Sequence, residues 1–379
     1  MARAGTYIQQ PTGYRAFVPE PLPPTPVLRI DAALQNLLSA ADTALGRLDG
    51  SVQTLPNPDL FVMMYVRKEA VLSSQIEGTQ SSLQDLLAAE SEALGRDRIA
   101  RDVDEVVNYV RSMRHGLGRL ATLPVSVRLI REIHEQLMQG TRGSALTPGE
   151  LRTSQNWIGP SGATISDAAF VPPPPHLVGP ALTDLERYLH SDDDLPLLLK
   201  IGLAHAQFET IHPFLDGNGR VGRLLITLLL CERSVLAQPV LYLSIFFKRH
   251  RTEYYERLQA VRDDGDWEGW LRFFLRGVAE VSVEATETAR RIIALREEHR
   301  RIVTENLGRG AATGHRLLES LYGNPITSVQ EVRDRLGLTT AAANLAVARL
   351  TELGLLAEIT GQRRNRRFRY EPYVQLFMT

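Results

Sequence analysis

The chain has 379 residues and carries 43 Lys+Arg against 44 Asp+Glu, a net charge of −1, which excludes a coat of positive charge for bulk nucleic-acid or membrane binding. An apolar fraction of 44% with 23% charged residues excludes chain-wide disorder. The single cysteine, Cys231, excludes an internal disulfide and a thiolate zinc site.

One cysteine suits a reducing compartment. Met1 to Tyr7 holds no signal-peptide core, and the longest apolar run, Leu224 to Cys231, is too short to cross a bilayer. A cytoplasmic protein without membrane contacts is therefore expected. Only Lys68, Lys200 and Lys248 are lysines, so an arginine cluster reflects composition as well as phosphate binding.

The N-terminal segment, with Pro11, Pro19, Pro21, Pro23, Pro24 and Pro26, reads as extended, because proline removes the backbone donor that a helix needs. Helical periodicity begins near Asp31, where Leu34, Leu37, Leu38, Ala41 and Leu45 recur at three and four residues. A second helix opens at Asn57-Pro58 as N-cap and first turn, and stops near Gly78. Further helical patterns cover Ser82–Leu94, Arg98–Leu117 and Val125–Gln139. Between Thr153 and Pro172, the strand-like Trp157-Ile158 and Ala169-Phe170-Val171 flank the turn former Gly159-Pro160-Ser161-Gly162, which predicts a hairpin among helices. Helices resume at Val178–His190, Leu195–Ile211, Arg220–Arg233, Thr252–Arg262 and from Trp267 toward Asn306, and Gly308-Arg309-Gly310 reads as a linker.

The last segment reads as a separate unit. Helices are predicted at His315–Tyr322, Val329–Leu336 and Thr340–Leu353, then a strand at Leu355–Ile359, a loop with Arg363, Arg364, Arg366 and Arg367, and Phe368-Arg369-Tyr370. Three helices followed by a two-stranded wing is the winged-helix order. This unit is net positive by three from Ala311 onward, which makes DNA a candidate partner.

Chemistry concentrates between Ile211 and Arg223. Pro213 disfavours helix at His212, so one helix ends there. Asp216-Gly217-Asn218-Gly219 allows a tight turn with exposed amides, and a new helix starts from it, the arrangement that attracts anions. Arg220 and Arg223 lie three apart in its first turn, where cations oppose the helix dipole unless a polyanion binds there. Asp216 is a suitable hard ligand for Mg²⁺ and His212 a suitable general base. The set fits phosphoryl or nucleotidyl transfer. Three other motifs fit less well. Gly217-x-Gly219-x-x-Gly222 fits the dinucleotide fingerprint in form but has no strand before it. A calcium loop starting at Asp216 would place Thr227 where glutamate is required. A plain helical corner leaves His212, Arg220 and Arg223 unexplained. His205, seven residues before His212, reads as a core or surface histidine rather than a ligand.

The run from His212 to Arg223 resembles the Fic-domain signature H-x-F-x-[D/E]-G-N-G-R-x-x-R at every specified position. The resemblance implies transfer of AMP from ATP to a hydroxyl of a target protein. It implies that His212 deprotonates the hydroxyl and that Asp216 holds Mg²⁺ on the phosphates. Gly217, Asn218 and Gly219 would line the anion hole, while Arg220 and Arg223 bind the phosphate tail. Phe214 would anchor the loop in the core. Relatives that phosphorylate carry lysine in the loop where this chain has Gly219, which favours AMP transfer. Ser73-Ser74-Gln75-Ile76-Glu77-Gly78 resembles the family's inhibitory motif [S/T]-x-x-x-E-[G/N], here ahead of the core. Ser73, Glu77 and Gly78 would form the regulatory element, with Glu77 paired to Arg223. The hairpin matches the family's flap, which holds the target by strand pairing.

The expectation is a mostly helical protein. An N-terminal helical region, 1–105, would carry the inhibitory helix at about 58–78. A Fic-type helical core with one hairpin flap would cover 106–308, and a winged helix 311–379. Its function would be that of an autoinhibited protein adenylyltransferase acting on a Ser, Thr or Tyr hydroxyl, with self-modification and a homodimer in keeping with the family. The alternatives are a DNA-binding regulator that senses nucleotide at the same site, and an enzyme that also removes AMP.

Overall fold

The computed structural model describes residues 3–55, 58–90, 101–141, 146–160 and 162–378. The expected N-cap Asn57, Ser161 of the flap turn and the helix ends anticipated between 91 and 100 lie outside them. The proline-rich start is extended as expected, but it is also paired. β1 (Gly5–Gln9) and β2 (Arg15–Pro19) form an antiparallel hairpin in register Tyr7–Phe17. Phe17 is fully buried, and its amide donates to the carbonyl of Val171 at 2.9 Å.

Helices then follow in succession. α1 (Ala32–Gln53) is capped by the Asp31 carboxylate, which accepts from the Leu34 amide. α2 (Asp59–Ile76) ends at Glu77, and Gly78 turns the chain with φ +98°. α3 (Leu83–Glu90), α4 (Arg101–Arg119) and α5 (Val127–Met138) complete the first half. After the flap come α6 (Pro175–Leu189), α7 (Leu197–Ile211), α8 (Asn218–Glu232), α9 (Ser244–Arg249), α10 (Arg251–Asp264) and α11 (Trp267–Leu307). Every residue of α7 from Leu198 to Ile211 is buried, and nearly all of α8 is as well. A helix buried on all sides belongs at the centre of a bundle. Trp267, Trp270, Phe273 and Phe274 of α11 are buried too. Full burial of side chains of this size stabilises the fold by about 2–3 kcal/mol each. Among the described residues no helix is long and apolar enough to cross a membrane.

The flap differs from the expected hairpin. Its pairing is a single antiparallel bridge between Ile158 and Phe170, with N–H···O distances of 2.8 and 3.1 Å. Pro160 has no amide to extend the ladder, and a 3₁₀ turn at Ile165–Asp167 occupies the return limb. The expected linker at Gly308-Arg309-Gly310 is a 3₁₀ turn joining α11 directly to α12 (Ala311–Gly323).

Beyond α12 lie β3 (Ile326–Thr327), α13 (Val329–Leu336), α14 (Thr340–Glu352), β4 (Ala357–Glu358), β5 (Phe368–Arg369) and α15 (Glu371–Gln375). The three short strands form an antiparallel sheet in the order β3-β5-β4. A capping box between Ser328 and Glu331 starts α13, and Gly337 ends it in the left-handed region. This unit packs against the helices before it. Phe377 meets Tyr65 of α2 edge-on at 5.6 Å, and Tyr370 bonds to His299 of α11 at 2.6 Å.

Candidate active site

The loop between the two central helices holds the signature residues. α7 closes on His212, which takes the left-handed conformation, φ 49° and ψ 62°. Its amide still donates to the Phe208 carbonyl at 3.0 Å, so the imidazole is fixed to the end of a rigid helix. Burial pushes the His212 ring down to about 3, assisted by Arg262 and Arg152, so the ring is neutral with a lone pair available.

Phe214 is fully buried, as the core anchor should be. The Asn218 side chain spans the loop, accepting from the Phe214 amide and donating to the Phe214 carbonyl, both at 2.8 Å. Asn218 therefore closes the loop with its side chain and offers an anion only its backbone. Gly217 lies at φ 78°, and its amide donates to the Asp216 carboxylate at 2.6 Å.

Arg220 and Arg223 are both buried. Arg220 pairs with Glu105 of α4 at 3.2 Å and lies 3.7 Å from Asp216. Arg223 donates to the Ser73 hydroxyl at 2.8 Å, to the Ser73 carbonyl at 2.9 Å and to the Glu77 carboxylate at 2.7 Å. The structure thus brings Ser73 and Glu77 from α2 onto the second arginine of the signature. Burial raises the Glu77 carboxyl, but Arg223 outweighs it and holds the group below the usual carboxylate range. Reciprocally, Glu77 overcomes the burial that would lower the Arg223 guanidinium and raises it. The Glu77 side chain is 37% exposed, so solvent screens part of this attraction. Gly219 makes room for the contact, because a Cβ there would sit 2.3 Å from the Glu77 carboxylate oxygen.

Asp216 is exposed and shares Arg220 with Glu105. Among the described residues, no group of three or more His, Cys, Asp or Glu could hold a metal ion. A single carboxylate beside an anion pocket fits Mg²⁺, which keeps its waters and takes its remaining oxygens from phosphates. His205 is a core residue, as expected. Its Nδ1 donates to the Gly222 carbonyl at 3.0 Å and its Nε2 accepts from the Tyr254 hydroxyl at 2.9 Å.

Several supporting residues carry no signal in the sequence. His134 of α5 stacks on Phe214, with centroids 3.7 Å apart and planes within 4°. Its Nδ1 accepts from the Gly149 amide at 2.9 Å, which leaves Nε2 to donate to the Asp216 carbonyl at 3.1 Å. Burial lowers this ring to about 4. Asn156 donates to the Phe214 carbonyl at 2.8 Å and ties the flap to the loop.

Comparison with known proteins places this geometry. Residues 35–118 match the Fic/DOC family N-terminal model, and residues 124–230 match the Fic/DOC family model. The chain belongs to the Fic/DOC family. It is 30% identical over 182 residues to a probable protein adenylyltransferase of Aquifex aeolicus, covering 46% of this chain and 51% of that one. It is 26% identical over 204 residues to the protein adenylyltransferase Fic of Drosophila melanogaster, covering 53% and 36%. The chain therefore spans about half, or less, of the length of these curated relatives. A Fic family protein from Desulfovibrio desulfuricans G20 shares the fold at a TM-score of 0.58 and 20% identity, over 90% of this chain and 97% of that one. Fic-1 from C. elegans does so at 0.50 and 22%, over 70% and 74%.

Proposed function

We propose that this Fic/DOC protein is a protein adenylyltransferase held inactive by its own Glu77. The observation that carries the reading is the 2.7 Å pair between Glu77 and Arg223 at the start of α8, beside a neutral His212. The start of α8 and its two arginines suit a triphosphate. Arg223 would meet the terminal phosphate, and a carboxylate already bound there competes for the same donors. Once Glu77 withdraws, His212 takes the proton of a Ser, Thr or Tyr hydroxyl on the target. The hydroxyl oxygen then attacks the α-phosphorus, the bond to the β-phosphate oxygen breaks, and pyrophosphate leaves. Asp216 would hold Mg²⁺, which supplies charge neutralisation on the phosphates when bound. The flap backbone around Ile158 would present the target segment by strand addition. The relatives named protein adenylyltransferase support the choice of ATP over other nucleotides.

The test uses ATP labelled at the α-phosphate. Glu77→Gly should raise self-labelling by about tenfold or more over the wild type, and Glu77→Gly with His212→Ala should abolish it. Absence of any transfer by Glu77→Gly, to itself or to proteins of a lysate, would overturn the reading. Loss of AMP from a modified protein on addition of the wild type would instead assign Glu77 a role in removing the group.

A second reading concerns the C-terminal unit, whose element order suits a winged helix that binds DNA. Thr340, Asn344 and Arg349 lie exposed on α14, and Arg363, Arg364 and Arg366 are exposed on the loop before β5. Arg367 and Arg369 are occupied by Glu331 and Glu371, so fewer of the loop arginines are available for phosphates than the sequence count implies. A gel shift of the full chain that weakens steeply with salt would support it, and salt-independent or absent binding would remove it.

A further inference from the structure

Two buried arginines lie near His212, and both spend their guanidinium hydrogen bonds on carbonyls, a hydroxyl and a side-chain amide rather than on a carboxylate. Arg152, at the foot of the flap, is 2% exposed. Its guanidinium donates to the His212 carbonyl at 2.9 Å, the Pro173 carbonyl at 2.6 Å, and the Ile211 and Ser154 carbonyls at 3.4 Å. Its amide also donates to the Pro213 carbonyl at 3.0 Å. One side chain thus joins both feet of the flap to the last carbonyls of α7. Arg262 of α10 is 6% exposed. It donates to the Glu209 carbonyl at 3.2 Å and the Thr210 hydroxyl at 3.3 Å on α7, and to the Gln259 side chain at 3.3 Å. Its guanidinium carbon lies 3.8 Å from the centroid of Phe170, one half of the bridge that closes the flap.

Burying a cation is costly, and ordinary packing would favour an apolar residue in its place. Burial lowers both guanidinium groups to about 10, with the Glu209 and Asp263 carboxylates offsetting part of the effect at Arg262. What each arginine gains is reach. A planar group with five donors can hold several carbonyls and a ring face at once, and no other side chain does this. Both arginines use that reach in the same way, with contacts on the turn that carries His212 and contacts on the flap.

We propose that Arg152 and Arg262 are positioning residues that clamp the flap to the base, so that an acceptor hydroxyl seated on the flap is delivered to His212 at a fixed distance. The proposal rests on the AMP-transfer reading for its consequence, though the clamp itself is a matter of geometry. The clamp also places two positive charges near the imidazole. The groups facing His212 are Arg152 from the flap base, Arg262 from α10 and Glu77 from α2, the first two favouring the neutral ring and the third opposing them. Neither arginine touches Glu77 or the start of α8 in the hydrogen bonds above, so nucleotide binding should be largely independent of the clamp.

The experiment is made in the Glu77→Gly background with three readings. These are ATP affinity by calorimetry, single-turnover AMP transfer with α-labelled ATP, and amide hydrogen exchange over 153–173. With Arg262→Met, transfer should fall about tenfold or more while ATP affinity stays within about twofold, because orientation rather than binding is lost. Exchange at the Ile158 and Phe170 amides should rise, and Arg262→Lys should recover part of the rate by restoring a cation over the ring. If Arg262→Met fails to fold, Phe170→Leu removes the ring while keeping apolar volume, and the same split is expected. Unchanged transfer with unchanged exchange would overturn the clamp. So would a loss of ATP affinity that parallels the loss of rate, since that marks a general structural role. If the Glu77→Gly parent transfers no AMP, the enzymatic reading fails by itself. Unchanged flap exchange in Arg262→Met would then sink the clamp, and raised exchange would uphold it.

Discussion

Each ring nitrogen of His134 is committed to one partner, the Gly149 amide on one side and the Asp216 carbonyl on the other, while its face lies against Phe214. The ring therefore supports the signature loop from beneath and stays neutral down to about pH 4. His134→Ala should weaken ATP binding by about fivefold, because the one hydrogen bond it gives the signature loop, to the Asp216 carbonyl, contributes about 1 kcal/mol. His134→Gln, which can still donate to Asp216, should recover part of that affinity in a calorimetric titration. Glu132 of α5 has a pH effect of the same sign, from a different cause. Hydrogen bonds from Arg119, and then from Arg128 and His115, lower its carboxyl to about 2 from an ordinary 4.5. A depressed carboxylate contributes stability that is present above the ordinary value and is lost as pH falls toward 2. Thermal melts between pH 5 and pH 2 should therefore show a smaller acid-induced loss for Glu132→Gln than for the wild type. Equal losses would mean that the cluster contributes nothing to folding.

Among the elements, α2 has two sets of neighbours. Its C-terminal end delivers Ser73 and Glu77 to Arg223, and another side meets the C-terminal unit through Tyr65 and Phe377. Arg67, buried one turn before Val71, donates to the Gly323 carbonyl at 3.4 Å and adds a polar tie to α12. Along the same helix, a cavity of about 240 Å³ is lined by Tyr65, Lys68, Glu69, Ile245 and Leu376. The pocket opens mainly between α2, α9 and α11 and meets the C-terminal unit at Leu376, so this side of α2 is less filled than α7 and α8, and Tyr65 with Phe377 forms its joint to that unit. Phe377→Ala deletes a buried ring at a cost of about 3 kcal/mol to that joint. Freed from its brace, α2 should release Glu77 more often, and basal self-labelling should rise above the wild type while staying below Glu77→Gly. Labelling equal to the wild type would show that the joint does not restrain the inhibitory end.

For the whole molecule, legibility in the sequence follows the distance over which each feature is built. The turn after Phe214 was readable because Pro213, Gly217 and Gly219 state their backbone conformations locally, and the left-handed His212 and Gly217 agree with that reading. The start of α1 near Asp31 follows from apolar periodicity, and the caps at Asp31, Ser328 and Gly337 fix those boundaries in the fold. His134, Arg152 and Arg262 left no trace, since each reaches a loop more than fifty residues away and only the packed bundle brings them together. The N-terminal hairpin is hidden in the sequence because its prolines argue for an unpaired strand, while its stability comes from Phe17 seated in the core and bonded to Val171 on the return limb of the flap. α9 is too short to announce itself by periodicity. The long α11 has a further consequence. Its 41 residues span about 60 Å at 1.5 Å each and pass into α12 through one tight turn. With His299 fastened to Tyr370 near its far end, the tail has no slack in which to wander. Whatever grips that tail pulls on a stiff mast whose root lies among Trp267, Trp270 and Phe274, against the helix that ends at His212.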